Sequence, residues 1–489
     1  MAALPGLRVL GHGPLRRLFP RVYAAVLAGV FVWFALVALI ALRFPGALPA
    51  AAIGTALVLV ATAVRARFGS RLWRGLPPGS LSLARSVEAV ADRRGYLDAA
   101  ARHGPIFKSA QFHRNLICVV GLERIHRLVR EHGDSLAPNP LPLTREVSGG
   151  FLRYMEEGRY AVYGPLFRKA LSPAVVAAAR PATIEAAERE LGRLAVGFPL
   201  APGESLERIA FDGLVRALFG FEPESREHDA FRSAYGALAE QDLGAPLTVE
   251  SRAALVALRR VVVANLGRDA PTSALSELQQ LDPDLPDAIC VDNLIFTLKF
   301  ASANVVSLLH WLLAMLGRHP EWAERMRHDP TLVDKFIMET LRLAQSEYLY
   351  RVVTRDFEFE GFRFPRGWLI RLCVWESHRT SDAFDDPETF DPDRFVETSY
   401  RTSDYSPFGW GQHACNGVPL TYMICGVVLS ALVDDYEWEV TGGSPAERDF
   451  RHWHHWRPSS TLRLGVAPRS AQTRPRSAST FATNRRVSG

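Results

Sequence analysis

The chain has 489 residues, of which 48% are hydrophobic and 22% are charged, and its formal net charge is +5. This composition is typical of a globular protein with a large core, in one large domain or two. Long basic blocks interleaved with aromatic residues do not occur, so we expect no nucleic-acid partner; the basic balance mildly favours acidic partners or anionic lipid. The five cysteines are widely spaced without a CxxC pair, which predicts reduced thiols in a cytoplasmic domain.

The N-terminal part predicts a membrane anchor. Residues 22–42 carry no charge and are long enough to span a bilayer, and residues 48–64 form a second apolar stretch. Arginines precede the first stretch and follow the second, so by the positive-inside rule both outer ends face the cytoplasm, with the hairpin in the plasma membrane. One span followed by a helix in the membrane interface is the alternative. The expected divisions are a basic segment at 1–21, a two-helix hairpin at 22–64, a linker at 65–80, a cytoplasmic domain at 81–467 and a disordered basic tail at 468–489.

The cytoplasmic domain is expected to be mainly α with a minor β-sheet (α+β). Residues 105–121 alternate as a two-strand hairpin does. From about 122 to 345 the pattern is helical, with breaks at Pro and Gly, and one further helix covers about 418–433. The remaining strands are expected at 350–376, 436–441 and 461–466.

The strongest functional signal is FGWGQHACNG, residues 408–417. Gly411 and Gly417 allow a sharp turn and a close approach to something flat. Cys415 precedes a helix N-terminus, which favours a thiolate, and Phe408 can shield the sulfur from water. These are the requirements of a thiolate that binds haem iron. Taken alone, the loop is also compatible with an ordinary turn that holds a buried cysteine.

This loop resembles the haem-binding loop of the cytochrome P450 family, because Phe408, Gly411, Cys415 and Gly417 match its FxxGxxxCxG pattern in full. The resemblance covers about 75–467. It implies the cytochrome P450 fold, a haem b cofactor (iron protoporphyrin IX) and Cys415 as the axial ligand of the iron. The region 81–467 is then the catalytic domain.

Two upstream segments resemble further motifs of the family. ETLR at 339–342 resembles its ExxR helix, and FDPDRF at 390–395 resembles the loop whose arginine completes a triad with that helix. The implied triad is a buried ion-paired network behind the haem, which specifies structure more than it adds stability. Its members are Glu339, Arg342 and Arg394.

The resemblance also implies which cations hold the haem propionates. Arg351 and His413 match the family's positions, as cations that face carboxylates. GPLFRKALSPAVV resembles the helix in which Trp or His stands four residues before an arginine, but here Gly164 stands four residues before Arg168. Arg168 keeps the proposed propionate role, with a solvated surface charge as its alternative. Two tyrosines are candidate replacements for the missing ring: Tyr160 and Tyr163.

Residues 298–307, LKFASANVVS, lie in a long apolar run that predicts a buried helix. In many members of the family, the helix over the distal haem face carries an acid or amide followed by threonine, a pair that delivers protons. The alignment places Asn304 at the acid and Val305 at the threonine, with Ala301 and Val305 in the substrate pocket. Val305 has no hydroxyl, and Asn304 is not a general acid near neutral pH. Asn304 is therefore either a satisfied core amide or a catalytic residue.

Other candidates are weaker. RHWHHW at 451–456 has three histidines, but alternating side chains on an extended segment diverge, so we expect no metal site there. The segment resembles a loop of the family that reaches over the haem, which implies a contact with the substrate. Lys299 is expected to snorkel or to lie at the surface. Cys290 and Cys425 fall on helical patterns and are expected in the core.

The expected function is a haem-thiolate monooxygenase that oxidises a small lipophilic substrate of secondary metabolism with O2 and external electrons. The Asn304-Val305 pair leaves two alternatives in the same family: direct use of peroxide, and isomerisation, dehydration or radical coupling without oxygen insertion. A haem-binding protein without turnover is the alternative from another class. The expected partners are a small-molecule substrate, a separate ferredoxin with its reductase, and membrane lipid. The Ala/Arg bias and the hairpin favour a bacterial source.

Overall fold

The computed structural model describes residues 75–81, 102–111, 114–147, 149–241, 245–266, 271–344, 349–443 and 461–469, with the separate positions 53, 54, 57, 448, 449, 457 and 458. Nearly all of the predicted hairpin at 22–64 lies outside the described residues. So do the basic segment at 1–21, the RHWHHW segment and most of the tail at 468–489. The predictions for these segments stay predictions.

The largest sheet has five strands in the order β1-β2-β7-β4-β3. Its strands are β1 (Ile106–Gln111), β2 (Arg114–Val119), β3 (Leu136–Pro138), β4 (Leu349–Val353) and β7 (Leu369–Leu372). The pair β2–β7 is parallel, and the other three pairs are antiparallel. The sheet thus joins two parts of the chain that are more than 200 residues apart, and the predicted hairpin at 105–121 is confirmed as β1–β2.

Three two-stranded ribbons complete the described strands. They pair β5 (Phe357–Phe359) with β6 (Phe362–Phe364), β8 (Tyr436–Thr441) with β11 (Arg463–Pro468), and β9 (Arg448–Asp449) with β10 (Arg457–Pro458). The strands expected at 350–376 and 436–441 are confirmed, and the one expected at 461–466 is found two residues later.

Helices fill most of the chain between β2 and β4. They are α1 (Leu122–His132), α2 (Glu157–Ala170), α3 (Pro173–Leu194), α4 (Gly203–Phe219), α5 (Arg226–Ala239), α6 (Val249–Val263), α7 (Ala274–Leu281), α8 (Asp287–Arg318), α9 (Glu321–His328) and α10 (Leu332–Leu343). Beyond β7 follow α11 (Val374–Thr380), α12 (Arg394–Glu397) and α13 (Val418–Asp435). Local sequence sets several starts: the Ser172, Ser225 and Thr248 side chains accept hydrogen bonds from the first turns of α3, α5 and α6.

The long helix α8 runs through the main core for 32 residues. Two of its buried polar side chains are satisfied by neighbouring segments, as buried polar groups require. The Asp292 carboxylate accepts two hydrogen bonds from Arg259 of α6, at 2.6 and 2.7 Å. The Asn293 amide accepts from the Leu152 N–H at 2.7 Å and donates to the Gly150 carbonyl at 3.1 Å. These bonds fix α8 against α6 and against the segment that precedes α2.

One prediction for α8 is wrong. Lys299 is 6% exposed, and its Nζ donates to the carbonyl of Ala239, the last residue of α5. A helix C-terminus has carbonyls without intrahelical partners and a partial negative charge, so it stabilises a buried cation. The core positions predicted for Cys290 and Cys425 are confirmed, because both are buried.

Among the described residues, α8 and α13 are long and apolar enough to cross a membrane. In their most apolar windows, however, 67% and 50% of the residues are buried inside the fold. Core helices pass the same test of length and composition, so these two helices say little about a membrane.

Candidate active site

The loop that precedes α13 holds Cys415 and is shaped by two glycines. Gly409 and Gly411 adopt φ of 76° and 64°, in the left-handed region that favours glycine. The Cys415 N–H donates to the Phe408 carbonyl at 3.0 Å and closes the turn. Gly417 has φ of −87°, and a Cβ there would lie 3.8 Å from the Cys415 Sγ, an ordinary contact. The sharp turn predicted at Gly411 and Gly417 is therefore made by Gly409 and Gly411.

Cys415 differs from the other four cysteines in its exposure. Its thiol is exposed and lines a cavity, whereas the other cysteines are buried. Burial raises the pKa of Cys290 to about 12 and that of Cys425 well above the ordinary value, so those thiols stay protonated. Cys415 lies two residues before Gly417, the N-cap of α13, where the helix dipole stabilises negative charge. Cys415 is thus the cysteine placed to act as a thiolate.

The cavity over Cys415 has a volume of about 1970 Å³. Ordinary ligand pockets measure roughly 300–1,000 Å³, so this one has room for a prosthetic group and a substrate together. Phe408, Cys415 and Gly417 line it on the loop side. One stripe of α8 also lines it, at the i, i+3, i+4 spacing of a helix face: Leu294, Thr297, Phe300, Ala301, Asn304, Val305 and Leu308.

Asn304 combines the two interpretations that the sequence left open. Its Nδ2 donates to the Phe300 carbonyl one turn earlier, at 2.9 Å, so the amide is satisfied within its own helix. The same side chain lines the cavity beside Ala301, and neighbouring Val305 is 2% exposed and also lines it. Because α8 is continuous from Asp287 to Arg318, Asn304 and Val305 do not break the helix.

Positive charge collects at one edge of the cavity, where Arg351 and His413 both lie. Burial, and then the charge of Arg153, lowers the pKa of Arg351, and burial followed by Arg351 lowers the pKa of His413. Among the described residues no carboxylate forms a salt bridge with Arg351, whose Nη1 donates to the Tyr350 carbonyl at 3.0 Å. A ligand that carries carboxylates would relieve this crowding of cations.

Arg168 takes a different place. It is exposed on α2 and lies outside the set of residues that line the cavity. Its Nε donates to Asn416 Oδ1 at 3.4 Å, so it contacts the cysteine loop from outside. Of the two tyrosines considered for the missing ring, Tyr160 lines the cavity and Tyr163 does not.

Behind the loop the structure brings together the three residues of the expected triad. Glu339 receives two hydrogen bonds from Arg342, both at 2.7 Å, and one from the Arg394 Nε at 3.2 Å. All three side chains are buried, and the Arg342 guanidinium also donates to the carbonyls of His378, Pro387 and Thr389. The network therefore links α10 to the segment between α11 and α12.

Sequence reasoning missed His378. This fully buried histidine of α11 accepts a hydrogen bond at Nε2 from the Ser406 N–H, at 3.0 Å, where the cysteine loop begins. Burial, and then the charge of Arg342, lowers its pKa to about 3, so the imidazole stays neutral and serves as an acceptor. No sequence pattern marks this role, because the two residues meet only through tertiary packing.

The donor set fits haem b. A thiol before a helix N-terminus can ligate the iron, Arg351 and His413 can face the propionates, and the cavity extends to α8. Within the described part of the chain, no group of three or more His, Cys, Asp or Glu side chains could hold a metal ion by itself. The histidines of RHWHHW lie outside that part.

Comparisons with known proteins agree with this geometry. Residues 300–464 match the family model described as Cytochrome P450. The chain is 24% identical over 453 residues to abscisic acid 8'-hydroxylase 2 of Oryza sativa subsp. indica, covering 80% of this chain and 88% of that protein. It is 24% identical over 414 residues to abscisic acid 8'-hydroxylase 2 of Arabidopsis thaliana, covering 75% and 85%.

Among solved structures, the fold is similar to "Retinoic acid bound cyanobacterial CYP120A1", with a TM-score of 0.68 and 22% identity over 80% of this chain and 99% of that chain. At 22% identity, this similarity shows a shared fold and nothing about the substrate. The named relatives come from plants and that structure from a cyanobacterium, and the bacterial source expected for this chain stays a prediction.

Proposed function

We propose that this chain, which belongs to the cytochrome P450 family and is an oxidoreductase of the monooxygenase class, binds haem b through Cys415 and hydroxylates a lipophilic organic acid. The observation that carries the proposal is the exposed Cys415 thiol before the N-terminus of α13, facing α8 across a cavity of about 1970 Å³. Haem b would supply the reductive activation of dioxygen. The chain's own residues bind the cofactor, orient the substrate and exclude water.

On the loop side, Cys415 would hold the iron, and Phe408 covers the loop by packing against the main core. Gly409 and Gly411, both at positive φ, turn the loop that would lie against the cofactor. Arg351 and His413 would face the cofactor's carboxylates, and Arg168 supports the loop through Asn416. The buried network of Glu339 keeps this side rigid.

On the α8 side, Ala301 and Val305 would form the wall against which the substrate packs, and Asn304 supplies a side-chain amide on the same helix face. Because Val305 has no hydroxyl, proton delivery depends on the Asn304 amide, on water or on the substrate itself. The direct use of peroxide and a reaction without oxygen insertion are the second candidates, and this Asn304-Val305 pair is the observation that favours them.

Two observations support an acid as the substrate. The abscisic acid hydroxylases are named for one, and Arg114 of β2 lines the cavity as a half-buried cation. Its Nη1 donates to Asn139 Oδ1 at 2.9 Å, and among the described residues no carboxylate forms a salt bridge with it. The neutral Asn139 amide orients the Arg114 guanidinium without neutralising its positive charge, so Arg114 can bind a carboxylate of the substrate.

The proposed partners are external. Electrons would come from a separate ferredoxin and its reductase, which the basic balance of the chain and exposed Arg168 suit. The apolar segments at 22–64 would anchor the chain in the plasma membrane with the catalytic domain on the cytoplasmic side. A tag at the N-terminus that proves accessible from outside the cell would contradict this topology.

The test of the proposed function is the spectrum of the reduced carbon monoxide complex. The wild-type protein should absorb at the wavelength typical of thiolate ligation, and Cys415→Ala should lose that band. Cys290→Ala, which removes a buried thiol elsewhere in the core, should keep it. Turnover of abscisic and retinoic acids, with peroxide or with a ferredoxin system, then separates the oxygen-inserting, peroxide-using and non-turnover functions. An unchanged spectrum in Cys415→Ala would refute the ligand assignment.

A further inference from the structure

The side of the cavity formed by α2 carries an aromatic residue that the family pattern does not place there. Tyr160 is 4% exposed, and its ring centroid lies 4.0 Å from that of His413, with an angle of 41° between the ring planes. Both residues line the cavity. The phenol ring therefore packs on the imidazole at the cationic edge.

Gly164 stands one helical turn after Tyr160 on the same face of α2, and its lack of a side chain makes room for that ring. A Cβ at Gly164 would lie 2.6 Å from the Cε1 and Cζ atoms of Tyr160 and 3.0 Å from Cδ1, which is closer than real Cβ atoms approach. The backbone there is helical, so packing and not backbone conformation demands glycine. The ring at 160 and the missing side chain at 164 are thus two parts of one arrangement.

His413 needs such support because, among the described residues, its imidazole forms no salt bridge with a carboxylate. Its orientation therefore depends on packing more than on an ion pair. The Tyr160 ring is the aromatic contact recorded for this imidazole among the described residues.

We infer that Tyr160 is a positioning residue for His413, whose imidazole it holds toward a cofactor carboxylate, and that Gly164 is glycine because the Tyr160 ring occupies the space of its side chain. This inference rests on the proposed function insofar as the cofactor is haem. It assigns to Tyr160, and not to Tyr163, the role of the Trp or His that the family pattern has at position 164.

The experiment measures the rate at which haem leaves the loaded full-length protein for apomyoglobin. Tyr160→Ala and Gly164→Ala should each release haem roughly two- to tenfold faster than wild type, the range that an aromatic contact supports. Tyr160→Phe keeps the ring and should restore the wild-type rate. Gly158→Ala is the matched control on α2, because a Cβ there meets nothing within 4 Å.

The double variant Tyr160→Ala/Gly164→Ala tests whether the two positions act as a unit. With the ring removed, the methyl group at 164 has nothing to displace, so the double variant should release haem no faster than Tyr160→Ala alone. Wild-type rates in both single variants, additive rates in the double variant, or a Tyr160→Phe protein that behaves like Tyr160→Ala would each overturn the inference.

A second readout does not require the cofactor. In the apoprotein, the ring current of Tyr160 should shift the NMR signals of the His413 imidazole, and Tyr160→Ala should abolish the shift while Tyr160→Phe retains it. If the wild-type protein binds no haem, the proposed function fails, and this measurement still decides whether Tyr160 positions His413. An imidazole signal that is identical in wild type and Tyr160→Ala would refute the contact itself.

Discussion

His378 makes the stability of this protein sensitive to acid. The imidazole is fully buried, and its Nε2 accepts the Ser406 N–H that starts the cysteine loop. Its pKa falls from the ordinary 6.5 to about 3. Between these values the unfolded chain binds a proton that the folded chain does not. The free energy of unfolding therefore falls as the pH drops from 6.5 toward 3 and is constant, for this group, above 6.5.

The size of the effect follows from the shift. One pKa unit corresponds to about 1.4 kcal/mol, so His378 contributes a slope of up to about 1.4 kcal/mol per pH unit and on the order of 5 kcal/mol over the whole window. His378→Gln removes the titration and keeps an acceptor for the Ser406 N–H. The variant should be less stable than wild type near neutral pH, because it loses the ring packing on Tyr405. On acidification to about pH 4.5, it should lose roughly 2–3 kcal/mol less than wild type.

The assay is urea unfolding followed by tryptophan fluorescence, between about pH 7 and pH 4.5. His328→Gln is the control, because it removes a surface imidazole whose side chain is 74% exposed and whose ion pair with exposed Glu324 contributes little to stability. Carboxylates with lowered pKa values, such as that of buried Asp212, add slope of the same sign to every variant, so the comparison is between variants at each pH. If the free energy of unfolding of His378→Gln declines on acidification as steeply as that of wild type, the role assigned to His378 is refuted.

Glu339→Gln leaves two buried arginines without their anion and should lower the free energy of unfolding by about 3–5 kcal/mol. Asp393→Asn is the control, because Asp393 forms an exposed pair with Arg325, and its loss should lower the free energy of unfolding by less than about 1 kcal/mol. Urea unfolding midpoints check both values, and equal losses in the two variants would contradict the prediction. Val305→Thr should raise the yield of product per O2 consumed if only the hydroxyl of a proton relay is missing, and an unchanged or lower yield means that the chemistry does not use that relay. If the proposed acid substrate is correct, Arg114→Gln should weaken the binding of that lipophilic acid roughly tenfold or more, measured by the spectral shift, and leave the binding of the corresponding alcohol unchanged. Equal effects on acid and alcohol would argue against a carboxylate contact.

The local patterns of the chain predicted much of the fold. Alternation along 105–121 indicated the β1–β2 hairpin, and helical periodicity with Pro and Gly breaks indicated the helices up to α10. The loop motif indicated Cys415, because a short contiguous segment carries both the turn glycines and the following helix. Such features are encoded by neighbouring residues, so they are visible before the chain folds.

Long-range packing determined the rest. Lys299 was expected to snorkel or to lie at the surface, but it is buried, and the C-terminus of α5 lies where its amine can reach a carbonyl. His378 and Ser406 are 28 residues apart and meet behind the cysteine loop. The sequence left Tyr160 and Tyr163 equivalent, and only Tyr160 lies against His413.

The sequence by itself therefore indicated the resemblance to the cytochrome P450 family, singled out Cys415 among the cysteines and placed Val305 where that resemblance expects a threonine. Tertiary structure decided how Asn304 is satisfied, which glycines turn the loop and which ring supports His413. The physical reason is that motifs specify which chemical groups are present, whereas the orientation and charge state of a buried side chain depend on neighbours that folding brings from distant parts of the chain.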